Sequence, residues 1–434
     1  MSATLHRVVI IGGGAGGLEL AVRLGRRFGR DQVTLVDRTP SHIWKPSLHE
    51  AAAGTLDIHR EGLSYAMLGQ NNGFRFVFGA FSGLDRARRT ITVAALNDAS
   101  GAQVLPERRL PYDTLVLAVG SHGNFFNTPG AERFALSLDS TASAEQFRVE
   151  LLKAVARADT KAVDGKAATV QVVIVGGGAT GVELAAELHE AGQTLSDYGS
   201  SRPDQQAELH LTVIEGGPRI LGPLPERVAA AATQLLCERG IAIHTRCRVS
   251  EVQRDAVMAG DKVFPADLVV WAAGIKAPAF LATLGLAVTP LNQLVVSGQL
   301  RTEDPAIFAF GDCAAAPWEG STKTVPPRAQ AAHQQSSYLY GLLSDRMRGR
   351  PMSDKPFRFR DFGSLVSIGH TEGVGSLMGG LSGPKMQVEG WIARVMYASS
   401  HWSHYVTVLG LWHALLRGLA RTLNRRSQPR VKLH

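Results

Sequence analysis

A pattern of apolar and polar positions near the start of the chain is repeated further along it. Val8–Leu24 reads VVIIGGGAGGLELAVRL and Val172–Leu188 reads VVIVGGGATGVELAAEL; the stretches lie 164 positions apart and agree at 12 of 17 positions. In each, a short unbroken apolar run precedes three glycines and a helix-forming segment. The run predicts a buried strand, the glycines a tight turn, and the remainder a helix. A second apolar run follows each unit: DQVTLVDR, carrying Asp37, and ELHLTVIEGG, carrying Glu215. Strands alternating with helices predict an α/β fold with two Rossmann-like units and parallel sheets.

The C-terminal segment has a different period. Tyr405, Leu409, Trp412, Leu416, Leu419 and Leu423 recur at spacings of four and three and make one apolar helical stripe. His413, Arg417, Arg421 and Asn424 make another face, and Trp391, Ile392, Val395, Met396 and Trp402 add apolar and aromatic residues upstream. An apolar, aromatic stripe opposite basic residues is the pattern of a helix lying in a membrane interface. No run of 18 apolar residues occurs, so no transmembrane helix is expected.

Charge sharpens this picture. The formal net charge is +8, and +7 of it falls in the last 54 residues, where eight Lys or Arg face the single acid Glu389. A basic tail on a nearly neutral body predicts an anionic lipid surface as partner. Nucleic acid is not expected, because no reader motif accompanies the charge. The three cysteines, Cys237, Cys247 and Cys313, form no C-x-x-C and predict neither a disulfide framework nor a zinc site. His42, His49, His333 and His370 show no metal-ligand spacing, and no metal is expected. The chain starts with a short polar stretch before its first strand, and no secretory signal is expected.

The glycine spacing carries the chemistry. Gly12, Gly14 and Gly17 form one G-x-G-x-x-G, and Gly176, Gly178 and Gly181 the other. In this motif the first glycine permits the turn, the second lets backbone approach a pyrophosphate, and the third lets helix pack on strand. The helix N-terminus then offers unpaired N–H groups to the phosphates. Asp37 lies 20 residues past Gly17 and Glu215 lies 34 past Gly181, each at a strand end where a carboxylate can accept from a ribose diol. Both acids oppose a 2′-phosphate, so NADH is expected over NADPH. Two dinucleotides in one chain suggest a resident flavin and a visiting nicotinamide, between which hydride moves.

The order of parts resembles the two-dinucleotide flavoprotein superfamily, in which an NAD(P)H domain is inserted into a split FAD domain. Tyr112–Ser121 (YDTLVLAVGS), Ala266–Pro278 (ADLVVWAAGIKAP) and Thr302–Ala314 (TEDPAIFAFGDCA) are similar to its exit, return and second FAD motif. Cysteines placed for a dithiol beside the flavin are missing. The chain most resembles the type II NADH:quinone oxidoreductases, through Ser41–Asp57 (SHIWKPSLHEAAAGTLD), Val325–Gln335 (VPPRAQAAHQQ, containing A-Q-x-x-x-Q) and Asp361–Gly379. Departures are Val119 in the A-T-G position and Ser47 where leucine is common.

The resemblance implies non-covalent FAD at Gly12, Gly14, Ala15, Gly17, Asp37, Lys45, Gly120, Asp312 and Ala329. It implies NADH at Gly176, Gly178, Gly181, Glu183, Glu215 and Gly274. Glu183, Gln330 and Gln334 are the expected catalytic residues, with Gln330 and Gln334 at the quinone. Each has a plainer reading. Glu183 can be a helix-dipole carboxylate, a structural role to which Glu19, in the equivalent place of the first copy, lends support. The two glutamines, four apart on one helix face, can be solvated. Lys45 can be solvated, and Asp312 can cap a helix.

The implied organisation is an FAD domain over 1–122, an inserted NADH domain over 123–288, the second FAD part over 289–380, and a membrane-anchoring tail over 381–434. The expected activity is oxidation of NADH and reduction of membrane quinone without proton pumping. The expected place is the cytoplasmic face of a bacterial inner membrane, as a peripheral protein that can dimerise. A reductase of a soluble acceptor and a slow membrane-attached redox sensor are the alternatives.

Overall fold

The structure, a computed structural model, describes residues 5–161, 169–198, 208–369, 372–377, 386–389 and 401–427. The first repeat forms β1 (Val8–Ile11), α1 (Ala15–Phe28) and β2 (Val33–Asp37), followed by α2 (Leu48–Ala53), β3 (Arg75–Phe78) and β4 (Thr114–Leu117). After β5 (Leu136–Ser137) and α3 (Thr141–Lys161), the second repeat forms β6 (Thr169–Val175), α4 (Ala179–Tyr198), β7 (Glu208–Ile214), α5 (Glu226–Glu238), β8 (Ala242–His244) and β9 (Leu268–Trp271). The chain then makes β10 (Ile307–Ala309) and α6 (Ala329–Met347). An antiparallel sheet of β11 (Ser364–Ile368), β12 (Glu372–Leu377) and β13 (Met386–Glu389) follows, and then helix α7 (401–409) and helix α8 (Leu411–Ser427).

Two five-stranded parallel sheets organise the molecule, in the orders β10-β4-β1-β2-β3 and β5-β9-β6-β7-β8. They share one topology: the glycine-loop strand is central, flanked by the strand that ends in the acid and by a later strand. The first sheet takes its outer strand β10 from beyond the second sheet, so the segment bearing β5–β9 is inserted in sequence between strands of the first. β1 and the Val172–Val175 half of β6 are buried throughout, as their unbroken apolar runs require in a sheet covered on both faces. Helix α4 runs 20 residues against 14 for α1, which accounts for part of the longer interval before Glu215; residues 199–207 lie outside the described set.

Two features depart from the sequence pattern. Helix α2 packs into the core of the second sheet, where Leu48, Ala51, Ala52, Ala53 and Leu56 join Phe147, Val182 and Leu184. The C-terminal stripe is not one helix: Gly410, at φ 84°, breaks it between α7 and α8. Val408 is buried in the core of the first sheet, with Tyr405 and Leu409 packed against it. Leu411, Trp412, Leu415, Leu416 and Leu419 of α8 are exposed. Trp391, Ile392, Val395, Met396 and His370 lie outside the described residues, as do the side chains of Leu423, Asn424 and every basic residue of the tail except Arg417.

Candidate active site

The two glycine loops are superposable in their constraints. Gly12 has φ 99° and Gly176 φ 113°; a Cβ on Gly12 would lie 2.4 Å from the Ala118 carbonyl oxygen, and one on Gly176 2.7 Å from Ala272 backbone. A Cβ on Gly17 would lie 1.9 Å from the Gly12 oxygen, and on Gly181 2.0 Å from the Gly176 oxygen. These four positions are glycine because protein backbone occupies the space. Gly14 and Gly178 differ: a Cβ there meets nothing within 4 Å. The open space beside the middle glycine, at a helix start whose first N–H groups have no intrahelical acceptor, fits a pyrophosphate. Ala15 is the first residue of α1 and sits at that opening.

The strand-end acids do more than the sequence pattern indicates. Asp37 Oδ2 accepts the Gly13 N–H at 2.6 Å, while Oδ1 accepts from Thr39 N–H and hydroxyl. Glu215 accepts the Gly177 N–H at 2.7 Å and the Gly217 N–H at 2.6 Å. Each acid therefore pins its own loop and keeps lone-pair capacity for a ribose hydroxyl, Asp37 on Oδ2 and Glu215 on either oxygen.

Around the second FAD motif, Ser121 donates its hydroxyl to Asp312 Oδ2 at 2.7 Å, and Lys45 donates to the Ser121 carbonyl at 2.7 Å. Lys45, Gly120 and Asp312, far apart in sequence, are thus brought together, with Gly120 at φ 70° beside Ser121. Sequence reasoning missed Gln335. Its side chain is buried and accepts the Gly311 N–H at 2.8 Å, which holds the turn that presents Asp312. Its place one residue beyond the A-Q-x-x-x-Q motif hid it.

Gln330 and Gln334 share a face of α6 as expected, and that face is not simply solvated. Gln334 grips the backbone of Arg360, donating to its carbonyl at 2.8 Å and accepting its N–H at 2.9 Å. Gln330 donates to Asp361 at 3.2 Å and to the Gly363 carbonyl at 2.9 Å, and accepts the Phe362 N–H at 3.2 Å. Arg328, preceding Ala329 at the start of α6, pairs with the same Asp361. The motif clamps an extended segment onto the helix. Both N–H groups of Gln330 are used, which leaves one N–H of Gln334 for a ligand.

Glu183 is buried at a three-way junction. It accepts the Ser367 N–H of β11 at 3.2 Å and stands 3.6 Å from His49 Nδ1 of α2. Burial, with Glu50 and Glu187 adding repulsion, pushes its carboxyl up to about 8. A surface helix-dipole carboxylate would be ionised; burial here favours the protonated form, which can donate a hydrogen bond. Glu19, at the same place in the first repeat, is the reverse. It is equally buried, but His333 and His404 donate to it and hold it down at about 2.

Near the β9 loop, Gly274 has φ 65°, and a Cβ there would strike the Phe126 ring at 2.4 Å. Phe126 is itself exposed, another residue that sequence reasoning missed, and lies over the loop assigned to NADH. All three cysteines are free: Cys237 is exposed, Cys247 buried, and Cys313 buried with its thiol pushed up to about 11 by burial.

Comparison with known proteins places these features. The sequence profile of the pyridine nucleotide-disulphide oxidoreductase family matches residues 6–336. A type II NADH:quinone oxidoreductase of Haemophilus influenzae is 38% identical over 99% of this chain and 100% of its own length. The type II NADH:quinone oxidoreductase Ndh of Mycobacterium tuberculosis is 26% identical over 92% of this chain and 84% of its own. Among solved structures, NDH2 from Plasmodium falciparum in complex with NADH superposes with a TM-score of 0.79 at 18% identity, covering 98% of this chain and 100% of that one. The chain belongs to the pyridine nucleotide-disulphide oxidoreductase family and, within it, to the type II NADH:quinone oxidoreductases.

Proposed function

We infer that the two glycine loops divide one reaction between them, NADH + quinone + H⁺ → NAD⁺ + quinol, with FAD at the first loop and NADH at the second. The chain is an FAD-dependent NADH:quinone oxidoreductase. The observation that carries the assignment of the loops is the pair of open positions beside Gly14 and Gly178, each backed by an acid that pins its loop. Bound FAD supplies a ring that takes a hydride and returns electrons as a pair.

The chain's own residues bind and orient. Gly12, Gly14, Ala15, Gly17 and Asp37 hold the first dinucleotide, with Lys45, Gly120, Asp312 and Ala329 around its second motif. Gly176, Gly178, Gly181, Glu215 and Gly274 hold NADH. Glu183, protonated at neutral pH, donates to the nicotinamide carboxamide and fixes the ring for transfer. Gln334 offers its remaining N–H to a quinone carbonyl, while Gln330 keeps the pocket wall of residues 361–363 in place.

The proposed domains are 1–122 and 289–380 for FAD, 123–288 for NADH, and 381–434 for the membrane. Within that last stretch α8 is the contacting element. Its exposed Leu411, Trp412, Leu415, Leu416 and Leu419 suit the interface of an anionic bilayer. No helix among the described residues is long and apolar enough to cross a membrane, so the proposal is peripheral attachment, at the cytoplasmic face of a bacterial inner membrane, without proton pumping.

The test is anaerobic. NADH added to the purified yellow protein should bleach the visible flavin band, and a ubiquinone analogue should restore it. Bleaching with no recovery would retain the NADH site and reject quinone as acceptor. Recovery with soluble acceptors alone would replace the reading with a soluble-acceptor reductase.

A further inference from the structure

Helix α7 belongs to the tail by sequence, yet it is built into the FAD domain. His404 is 1% exposed and stands at the centre of a buried chain of hydrogen bonds. His42 Nδ1 lies 2.9 Å from the Gly13 carbonyl, His42 Nε2 lies 3.0 Å from His404 Nε2, His404 Nδ1 lies 2.8 Å from Glu19 Oε1, and Glu19 Oε2 lies 2.7 Å from His333 Nδ1. Trp44 covers the group, its ring centroid 4.8 Å from that of His404 and 5.4 Å from that of His401.

With His42 neutral and Glu19 ionised, the donors and acceptors leave one assignment of protons. The Gly13 carbonyl can only accept, so His42 Nδ1 carries hydrogen. Burial, with repulsion from the His404 side, holds His42 neutral, so its Nε2 is bare and accepts. His404 Nε2 must then carry hydrogen. The ionised Glu19 carboxylate can only accept, so His404 Nδ1 carries hydrogen as well. That assignment puts hydrogen on both ring nitrogens of His404, which bridges His42 and Glu19.

The chain ends at the peptide that matters for the first dinucleotide. Gly13 gives its N–H to Asp37, and its carbonyl accepts from both His42 and the Tyr65 hydroxyl, the latter at 2.7 Å. Among the described residues the second loop has no such device: the Gly177 carbonyl accepts the Leu221 backbone N–H at 2.7 Å. The loop of the resident cofactor is therefore held from the tail, and among the described residues the loop of the visiting one is not. Arg26 secures α7 from α1 by donating to the Thr407 and Val408 carbonyls at 3.2 Å each.

We propose that His404 is a positioning residue of the FAD site, and that through Glu19, His42 and Gly13 it makes flavin retention depend on the docking of helix α7. The inference rests on FAD occupying the first loop. It gives the tail a second role beside contact with lipid: α7 locks the cofactor loop, and α8 beyond Gly410 faces outward.

The test uses the full chain as purified holoenzyme. Flavin release is followed by the rise in fluorescence on dilution, and ring protonation by nitrogen-15 NMR of histidine-labelled protein. His404→Ala should release FAD about tenfold faster, a change of about 1.4 kcal/mol. Glu19→Gln should act in the same direction, and the double variant should add little to either. The wild-type spectrum should contain a histidine with both nitrogens protonated at neutral pH, absent in His404→Gln and shifted to a neutral ring in Glu19→Gln. NADH affinity and the outward face should be separable: Trp412→Glu should leave flavin release unchanged. Should His404→Ala fail to fold, His404→Gln, which keeps one donor, should still show about threefold faster release. A folded His404 variant that retains FAD like wild type, or a neutral His404 ring in wild type, overturns the proposal. Wild-type protein that holds no FAD would instead reject the assignment of the first loop.

Discussion

Replacing Glu183 with Gln tests the reading of the buried junction by its pH dependence. The folded carboxyl is pushed up to about 8 from an ordinary value near 4.5. Between those values the folded chain holds a proton that the unfolded chain has lost, so stability falls as pH rises, by about 1.4 kcal/mol per unit. At pH 7 this amounts to about 3 kcal/mol of stability that the wild type lacks and Gln does not forgo. Gln also keeps an oxygen for the Ser367 N–H. For a chain of this length about 1 kcal/mol corresponds to roughly 1 °C in Tm. Glu183→Gln should therefore melt about 3 °C higher at pH 7, with the difference closing toward pH 5, in calorimetry or flavin fluorescence of the holoenzyme. A difference that does not change with pH would refute the protonated, buried carboxyl. The catalytic part is read separately, because Gln retains a donor. Glu183→Leu should slow flavin reduction by NADH about tenfold in stopped flow, and an unchanged rate would leave Glu183 a purely structural role.

The other predictions address the loops, the clamp and the tail. Gly181→Ala places a methyl 2.0 Å from the Gly176 oxygen and should lower Tm sharply, whereas Gly178→Ala meets no protein atom and should fold normally with an NADH KM raised about tenfold. Equal Tm losses would contradict the open space. Glu215→Gln removes the charge facing the ribose and should shift the ratio of kcat/KM for NADPH over NADH upward by about tenfold; no shift would place specificity elsewhere. Gln334→Leu severs both bonds to Arg360 and should raise the apparent quinone KM while turnover with ferricyanide stays largely intact. Equal losses with both acceptors would remove Gln334 from the quinone site. Trp412→Glu together with Leu416→Glu should abolish co-sedimentation with anionic vesicles, and retained binding would exclude α8 as the contact.

The repeat, its strands and helices, and the two acids were legible in the chain because each depends on local backbone geometry. A buried parallel strand needs an unbroken apolar run, and a turn packed against its own helix needs glycine. Those requirements write themselves into neighbouring residues. Helical period located the apolar stripe of the tail in the same way, whereas the A-Q-x-x-x-Q face was singled out by resemblance to the type II NADH:quinone oxidoreductases.

Protonation and partnership were decided only in three dimensions. Glu19 and Glu183 occupy the same place in two nearly identical sentences, yet one is an anion and the other holds its proton. The difference comes from what the fold brings to each: hydrogen bonds from His333 and His404, the latter 385 positions away, to Glu19, and to Glu183 burial first, with repulsion from Glu50 and Glu187 added. The division of the tail at Gly410 is of the same kind, since period alone does not tell a stripe buried on a core from one left bare. Periodicity records which side of an element is apolar; the dielectric surroundings and the charge of a buried group are set by segments that the sequence leaves far apart.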